Sequence, residues 1–486
     1  MAQAANKQFS MDDLPLPLLE DIVRRITSTS DLNSLSVASK QLYAIDAEQR
    51  QAIRVGRGLS PATSAIASLC SRFTNLCRVE INYFGWKPDH GAQLDNHGLN
   101  VLLSSCPSLS DLALAYCSNI DDFSLAYYIS CCKKLLSLRL HHLSAISSSG
   151  LHSVAVGCKS LSVLHLVGCK NVCVTKWLEY IGRFGSLEEL VVALCDQISQ
   201  YDLLKFGPGW MRLQRFQFQG KRNNDVIEPR DPSYEAHKEY TYDFSCESLK
   251  SLSLAHIATL PEIGLRSLLG KCMALESLCL HLVSGLSDDD MIALSQSCSN
   301  LRSIKLVLKP LYCLDIRPKF STSLTDRSLE ALSIACPNLQ HVDLAFVDCN
   351  PSYPSEISFT QEGLVALIRC CPIRVLLLTN PHFLKDEGMK ALSTAKFLET
   401  LELMRCLAIT DARMRYIARA PRLRNLTLRH CFHVTDDGVA EVVRAKRLES
   451  LTVQGCSRVS AQAVQGGARS VHYSSEAPSF YDLQRY

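Results

Sequence analysis

The sequence contains no run of the ~20 apolar residues that a membrane-spanning helix needs. Its first residues, Met1 to Ser10, are polar and lack the continuous apolar core of a secretory leader. Both absences point to an intracellular chain, in the nucleus, the cytoplasm or both. Charge of one sign is also missing: 51 Lys and Arg stand against 48 Asp and Glu, a net charge of +3. Such a balance supplies no chain-wide field for nucleic acid or acidic membrane. Catalytic signatures are equally scarce. There is no Gly-rich phosphate loop, no HExxH helix and no Gly-x-Ser-x-Gly elbow. The 14 His are scattered without metal-ligand spacing. The expectation is a binding protein with no catalytic residues and no metal.

What the chain does have is a repeat. Across 486 residues the pattern Leu-x-x-Leu-x-Leu recurs, followed by polar residues and a buried aliphatic. Its first Leu falls at Leu76, Leu109, Leu135, Leu161, Leu187, Leu213, Leu249, Leu275, Leu301, Leu339, Ile373, Leu398, Leu423 and Leu448. Four consecutive steps of 26 residues and three of 25 lie outside chance. Alternation in Leu161-Ser-Val-Leu164-His-Leu166 marks a short strand with leucines inward. A capping residue such as Ser199, Thr410 or Thr435 then opens an amphipathic helix. One strand and one helix per ~26 residues is a leucine-rich repeat. The expected fold is an α/β solenoid of about 14 repeats over residues 56–469, with a concave parallel sheet and outer helices.

Most cysteines fall into the same register. Cys106, Cys132, Cys158, Cys246, Cys272, Cys298, Cys336 and Cys370 lie three residues before an anchor. Cys117, Cys169, Cys195, Cys406, Cys431 and Cys456 lie eight after one. Fixed positions predict buried free thiols acting as small hydrophobes, not disulfides or metal ligands. This usage resembles the cysteine-containing subclass of leucine-rich repeats found in intracellular adaptors.

Residues 10–55 do not fit the repeat. Pro17 opens a helix with Leu18, Leu19, Ile22 and Ile26 on one face. Asp31 starts a second helix carrying Leu32, Leu35 and Val37. So few residues need a neighbour or partner to cover them. The run Leu14-Pro15-x-x-Leu18-Leu19-x-x-Ile22, with the following apolar helix and a basic-aromatic end, resembles an F-box. The stretch from Ser36 to Ile53 is similar to the F-box ends of plant hormone-receptor proteins. The family's Cys-Lys/Arg-x-Trp signature reads Ser39-Lys40-Gln41-Leu42-Tyr43 here, with Tyr43 in the place of Trp. The resemblance to F-box/leucine-rich-repeat proteins covers essentially the whole chain. It implies an SCF substrate adaptor that docks a Skp-type protein, and through it a cullin, while the repeats hold a target for ubiquitination. Docking would fall to Leu14, Pro15, Leu18, Leu19, Ile22, Ile26, Leu32, Leu35, Val37 and Tyr43.

Three long spacings place insertions after strands, at Gln219–Ser245, Val307–Ser323 and Val347–Ile357, on one rim. Alternation turns Arg139, His141, Gln217, Asp343 and Glu402 outward. It likewise turns His165, Arg215, His281, Lys305, His341, Met404 and Arg429 outward; with Arg139, and with Lys221 and Arg222 from the first insertion, they form the candidate substrate- or ligand-binding set. Their basic character suits an acidic peptide or a phosphorylated small molecule. The resemblance to plant receptors implies, as an alternative, a hormone or inositol phosphate held on such a wall. A scaffold outside any ligase, its N-terminal helices acting as a cap, is the other alternative. Residues 470–486 either cap the last repeat or form a tail.

Overall fold

The Leu-x-x-Leu-x-Leu signature becomes a strand because alternate leucines need one dry face while the residues between them tolerate solvent. In a computed structural model of the chain, all fourteen signatures do so. The structure describes residues 14–56, 62–87, 90–173, 176–184, 186–198, 210–220, 247–257, 264–309, 322–347, 357–445 and 447–476. The chain divides into two compact units, residues 1–203 and 204–486.

In the first unit, α1 (Leu16–Arg25), α2 (Thr29–Ser36) and α3 (Lys40–Gln49) precede β1 (Ala52–Gly56). Then α4 (Ala62–Arg72), β2 (Arg78–Asn82), α5 (Asn96–Ser105), β3 (Asp111–Ala115), α6 (Asp122–Tyr127), β4 (Ser137–His141), α7 (Ser148–Gly157), β5 (Val163–Val167), α8 (Lys176–Phe184) and β6 (Glu189–Ala193) alternate. Strands β1 to β6 pair in parallel, each with its neighbour in sequence.

The second unit opens with β7 (Arg215–Gln219), β8 (Ser251–Ala255), α9 (Gly264–Leu269) and β9 (Ser277–His281). It continues through α10 (Asp288–Ser297), β10 (Ser303–Leu308), α11 (Asp326–Ala335), β11 (His341–Phe346), α12 (Gln361–Cys370) and β12 (Val375–Thr379). Next come α13 (Asp386–Thr394), β13 (Thr400–Met404), α14 (Asp411–Arg419), β14 (Asn425–Arg429), α15 (Asp436–Arg444), β15 (Ser450–Gln454) and β16 (Ser470–Ser474). Strands β7 to β16 again pair in parallel in chain order. Register keeps the leucines in line: Leu112, Leu138, Leu164 and Leu190 are consecutive partners and all buried. This is a leucine-rich-repeat solenoid, with one strand per repeat and a helix after most strands among the described residues.

Two strands extend the sheets beyond the signatures. β1 lies within residues 10–55 and pairs with β2; β16 lies within residues 470–486 and pairs with β15. Tyr473 on β16 donates its hydroxyl to the Val459 carbonyl, tying this last strand to the preceding loop. The insertions are also shorter than the spacings implied, since Gln219 ends β7 and Val307 belongs to β10.

The cysteine register is visible as a hydrogen-bond ladder. Each thiol eight residues after an anchor donates to the carbonyl of a core aliphatic in the preceding repeat. Cys169 reaches Leu140, Cys195 reaches Leu166, Cys431 reaches Leu403 and Cys456 reaches Leu428, at 3.4–3.7 Å. Burial pushes the Cys117 and Cys158 thiols up to about 12, which keeps them protonated donors. Of the expected buried thiols, Cys246 lies outside the described residues and Cys132 is half-buried; Cys370 fails outright, since it is exposed and its neighbour Cys371 takes the buried site. The cause is a missing residue. Cys336-Pro-Asn-Leu339 has three steps from thiol to anchor, whereas Cys371-Pro-Ile373 has two.

Helices are stacked by a second ladder. A carboxylate at the start of one helix accepts both the backbone N–H and the hydroxyl of the Ser or Thr at the equivalent place in the next repeat, which caps the next helix in every case but Ser460. Asp122 holds Ser147, Asp288 holds Thr325, Asp326 holds Thr360, Asp411 holds Thr435 and Asp436 holds Ser460, at 2.5–2.9 Å. Charge-assisted bonds of this type are the stronger ones. Asp386 breaks the series: Arg413 takes it instead, and Thr410 caps α14 without a side-chain bond. The ladder leaves no space for a Cβ three residues into the following helix. Gly150, Gly363 and Gly438 occupy that position against Asp122, Asp326 and Asp411 respectively.

Helix propensity alone would have Gly438→Ala stabilise α15 by about 1 kcal/mol. Because the new methyl would run into Asp411 Oδ1, the expected outcome is a loss of stability. Denaturant unfolding of Gly438→Ala checks the sign, and Asp411→Ala in the same background should recover part of the loss.

Candidate functional site

The N-terminal helices form a small core of their own. Leu19, Val23, Leu42 and Ile45 are buried, with Leu14, Leu32 and Leu35 packed against them. Of the ten residues expected to dock a partner, Leu19 is therefore fully internal, and Leu14, Leu32 and Leu35 are half-buried supports. Ile22 and Ile26 are half-buried as well. Pro15 is exposed; Leu18 and Val37 expose 53% and 83% of their surface. Leu16, outside the expected set, is 49% exposed, next to exposed Pro17. Tyr43 has an occupant already: the Arg72 guanidinium lies 3.7 Å over its ring.

Arg72 belongs to a buried charge cluster that joins the helices to the first repeat. Asp46 on α3 is fully buried and Arg50 nearly so. Arg50 donates Nε and Nη2 to the two Asp46 oxygens at 2.9 and 2.8 Å, and Nη1 to Asn33 on α2 at 2.7 Å. From α4, Arg72 Nη2 adds a 3.2 Å bond to Asp46 Oδ2. Both guanidiniums stack over Phe73 at 4.6 Å. Removing one partner from such a buried set strands the others, typically at ~3–5 kcal/mol. The module and the first repeat therefore move together. Sequence reading missed this cluster, although Asp46 and Arg50 show the i, i+4 spacing of a helical ion pair.

The other surface is the face of each sheet that carries the residues between the leucines. In the first unit, Arg139 donates to Asp111 at 2.7 Å, and Arg78 reaches the same carboxylate at 3.1 Å. His165 Nε2 lies 2.8 Å from Glu189 Oε1. Burial lowers the His165 pKa despite Glu189, so its ring is neutral near pH 7 and donates to the carboxylate. In the second unit, Lys305 pairs with Asp343 at 3.1 Å, and Arg429 with Glu402 at 2.7 Å. Arg429 also donates to Gln454 at 2.9 Å. The wall expected to be basic is therefore charge-matched at Arg139, His165, Lys305 and Arg429, each by a carboxylate on an adjacent strand. Asp111 and Glu189 were not in the expected set; their signal is an acidic residue at the first strand position, one repeat from the cation.

The remaining candidates separate. Met404 is not a surface residue: it is buried with Val307, Ala345 and Val347, against half-buried Leu282. Its row reads Val307, Ala345, Thr379 and Met404, and the methionine packs along the sheet against the apolar members. His341 is half-buried at the start of β11, and burial lowers its pKa. The rings of His281 and His256 meet edge-on at 5.2 Å. Arg215 is exposed at the start of β7. Lys221, Arg222 and most of the three insertions lie outside the described residues.

An aromatic row lies in the first unit. Phe84 contacts Tyr116 at 5.2 Å, and Tyr116 stacks on His142 at 4.6 Å. The His142 ring occupies the space a Cβ on Gly168 would need. Beside it, His141 is desolvated on β4, and its Nε2 has no hydrogen-bond partner. Among the described residues no group of three or more His, Cys, Asp or Glu is placed to hold a metal, and no helix is long and apolar enough to cross a membrane.

No profile of a known protein family matches the chain. Two solved structures are similar to it. One is the Rad7 and Elc1 complex in yeast, at 16% identity and a TM-score of 0.47, covering 94% of this chain and 92% of that one. The other is the TLR13–ssRNA13 complex, at 15% identity and a TM-score of 0.40, covering 84% of this chain and 59% of that one.

Burial, aided by His165, His142 and Arg139, lowers the His141 pKa from 6.5 to about 4. The folded chain thus binds the His141 proton more weakly than the unfolded chain. Stability tied to this neutral ring is complete above pH 6.5 and is lost as pH falls toward 4. A His141→Gln variant is expected to lose less stability than the wild type across that window, measured by thermal unfolding at stepped pH.

Proposed function

We propose that the chain is a target-recognition adaptor of an SCF-type ubiquitin ligase. Its N-terminal helices dock a Skp-type adaptor, and through it a cullin, while its repeats hold the protein to be ubiquitinated. The observation carrying this reading is the uncovered apolar strip Pro15-Leu16-Pro17-Leu18, on a module whose own core is already complete. Contiguous exposed apolar residues on a soluble surface mark a partner site. The sequence resemblance to an F-box lies over the same residues. Buried Asp46 supports the reading in a second way, because a partner docked on the helices would be held rigidly relative to the repeats. Ubiquitin chemistry belongs to the partner subunits in this scheme.

The buried Asp46–Arg50–Arg72 cluster also favours one competing reading, in which the helices serve only to cap the first repeat. The two readings predict different consequences for surface and core substitutions. Leu16→Asp with Leu18→Asp changes exposed positions and should leave the unfolding transition close to that of the wild type. Co-purification with a Skp-type protein is expected to fall at least about tenfold, since hot-spot residues carry ~2 kcal/mol or more each. Retained co-purification would exclude docking through this strip, and loss of folding would support the cap.

A further inference from the structure

The link between α1 and α2 carries a hydroxyl that the fold does not use. Ile26, Thr27 and Ser28 join the two helices. Ile26 and Ser28 are extended, with φ and ψ of −81° and 113° for the first and −79° and 122° for the second. Thr27 between them is exposed, and its hydroxyl has no hydrogen-bond partner among the described residues. The neighbouring hydroxyls are engaged or sit in helices. Ser28 accepts the Asp31 N–H at 3.3 Å as the cap of α2, and Ser39 accepts the Leu42 N–H at 3.2 Å as the cap of α3. Ser34 and Ser36 donate to carbonyls of their own helix. Thr29 and Ser30 lie inside α2.

Immediately before this link, α1 ends on Arg24 and Arg25, both exposed. Arg25 holds Asp21 at 2.8 Å, but the two side chains are 78% and 48% exposed, so water screens the pair and it is weakly held. Arg24 has no carboxylate partner among the described residues. Two guanidiniums thus stand three and two residues before a free hydroxyl on an exposed, extended segment. Lys446 and Arg447 precede Ser450 at similar spacing, but Ser450 lies on β15, in register with Asn425 on one side and Ser470 on the other. Its backbone is committed to the sheet.

We propose that Thr27 is a phosphoacceptor for a protein kinase with an acidic substrate groove, and that Arg24 and Arg25 are the residues this groove reads. Each arginine offers a planar fork that matches a carboxylate with two charge-assisted bonds. Extended backbone lets the acceptor reach an in-line position on the transferred group. In the transfer, Thr27 Oγ1 forms a bond to the γ-phosphorus of ATP, the bond from that phosphorus to the β,γ-bridging oxygen breaks, and ADP leaves. The hydroxyl proton passes to the kinase's catalytic carboxylate. The product adds about −1.5 to −2 charges near pH 7, and Arg24 and Arg25 are the nearest cations in the sequence to pair with it. Leu16 and Leu18 lie at the other end of α1, so the apolar strip keeps its chemistry. The inference goes beyond the adaptor reading and does not rest on it.

The test uses the full-length chain, ATP and two kinases, one selective for arginine before the acceptor and one selective for acidic residues after it. Phosphate is mapped by mass spectrometry, and its rate of incorporation at residue 27 is measured. The arginine-directed kinase should modify Thr27, and the acid-directed kinase should do so at least about tenfold more slowly. Thr27→Val keeps the shape and should abolish that phosphopeptide, whereas Thr27→Ser should retain it. Arg24→Gln and Arg25→Gln should each slow the rate by about tenfold or more, the scale of a hydrogen bond to a charged group, with unfolding transitions close to that of the wild type. Arg24→Lys keeps the charge without the fork and should slow the rate less than Arg24→Gln. No phosphate at residue 27, phosphate on Ser28 in its place, equal rates with the two kinases, or a rate insensitive to both arginines would each overturn the proposal.

Discussion

Each repeat depends on how a strand ends. The residue after most strands adopts a left-handed backbone, at Tyr116, His142 and Leu194 in the first unit and at His256, Leu282, Asn380, Arg405 and His430 in the second, with φ between 51° and 57°. Gly168 and Gly455 occupy the same place. For residues with a Cβ this conformation costs roughly 1–2 kcal/mol. The structure accepts the strain because each such residue extends the ladder by one bond. Tyr116 donates to the His141 carbonyl, Asn380 to Met404, Arg405 to Arg429 and His430 to Gln454, at 2.8–2.9 Å. Turning the chain any other way would leave that carbonyl and N–H unpaired beside the core.

That turn sets the positions of everything after it. In six of these ten repeats the next residue is a cysteine whose thiol donates to a carbonyl of the preceding strand, and its small volume suits the tight corner. Beyond it the chain reaches the helix cap, which the preceding repeat's aspartate holds at both N–H and hydroxyl. Strands β10 and β11 are the informative exceptions. Each runs one residue further in extended form, and each precedes an insertion. Their ends contribute Val307, Ala345 and Val347 to a buried cluster with Met404.

Two parts of the chain are left unconstrained by this repeat geometry. One is the set of residues between the leucines, whose side chains need only share a strand spacing with their neighbours. There, among the described residues, Arg139, His165, Lys305 and Arg429 each pair with a carboxylate on an adjacent strand. The other is the N-terminal module, whose exposed proline–leucine strip is backed by a complete core and locked to α4 by Asp46. The lock has a cost, since two guanidiniums and one carboxylate give up water, but it converts two small cores into one body.

Fourteen strands, their spacing, the inward leucines and most buried thiols were legible in the sequence, because a period repeated along the chain reports a position repeated in space. The N-terminal helices were legible as amphipathic segments too. Which of their apolar residues remain available was not: Leu19 and Leu18 are adjacent and equally apolar, and only packing against Leu42 and Ile45 decides that one is core and the other surface. The basic wall failed for a related reason. Arg139 and Asp111 are 28 residues apart, and Lys305 and Asp343 are 38 apart; only strand pairing brings each cation to its carboxylate. Sequence alone determined the repeat, because hydrophobic periodicity is local. Tertiary structure decided the charge pattern and the exposed strip, because electrostatics and burial depend on neighbours in space.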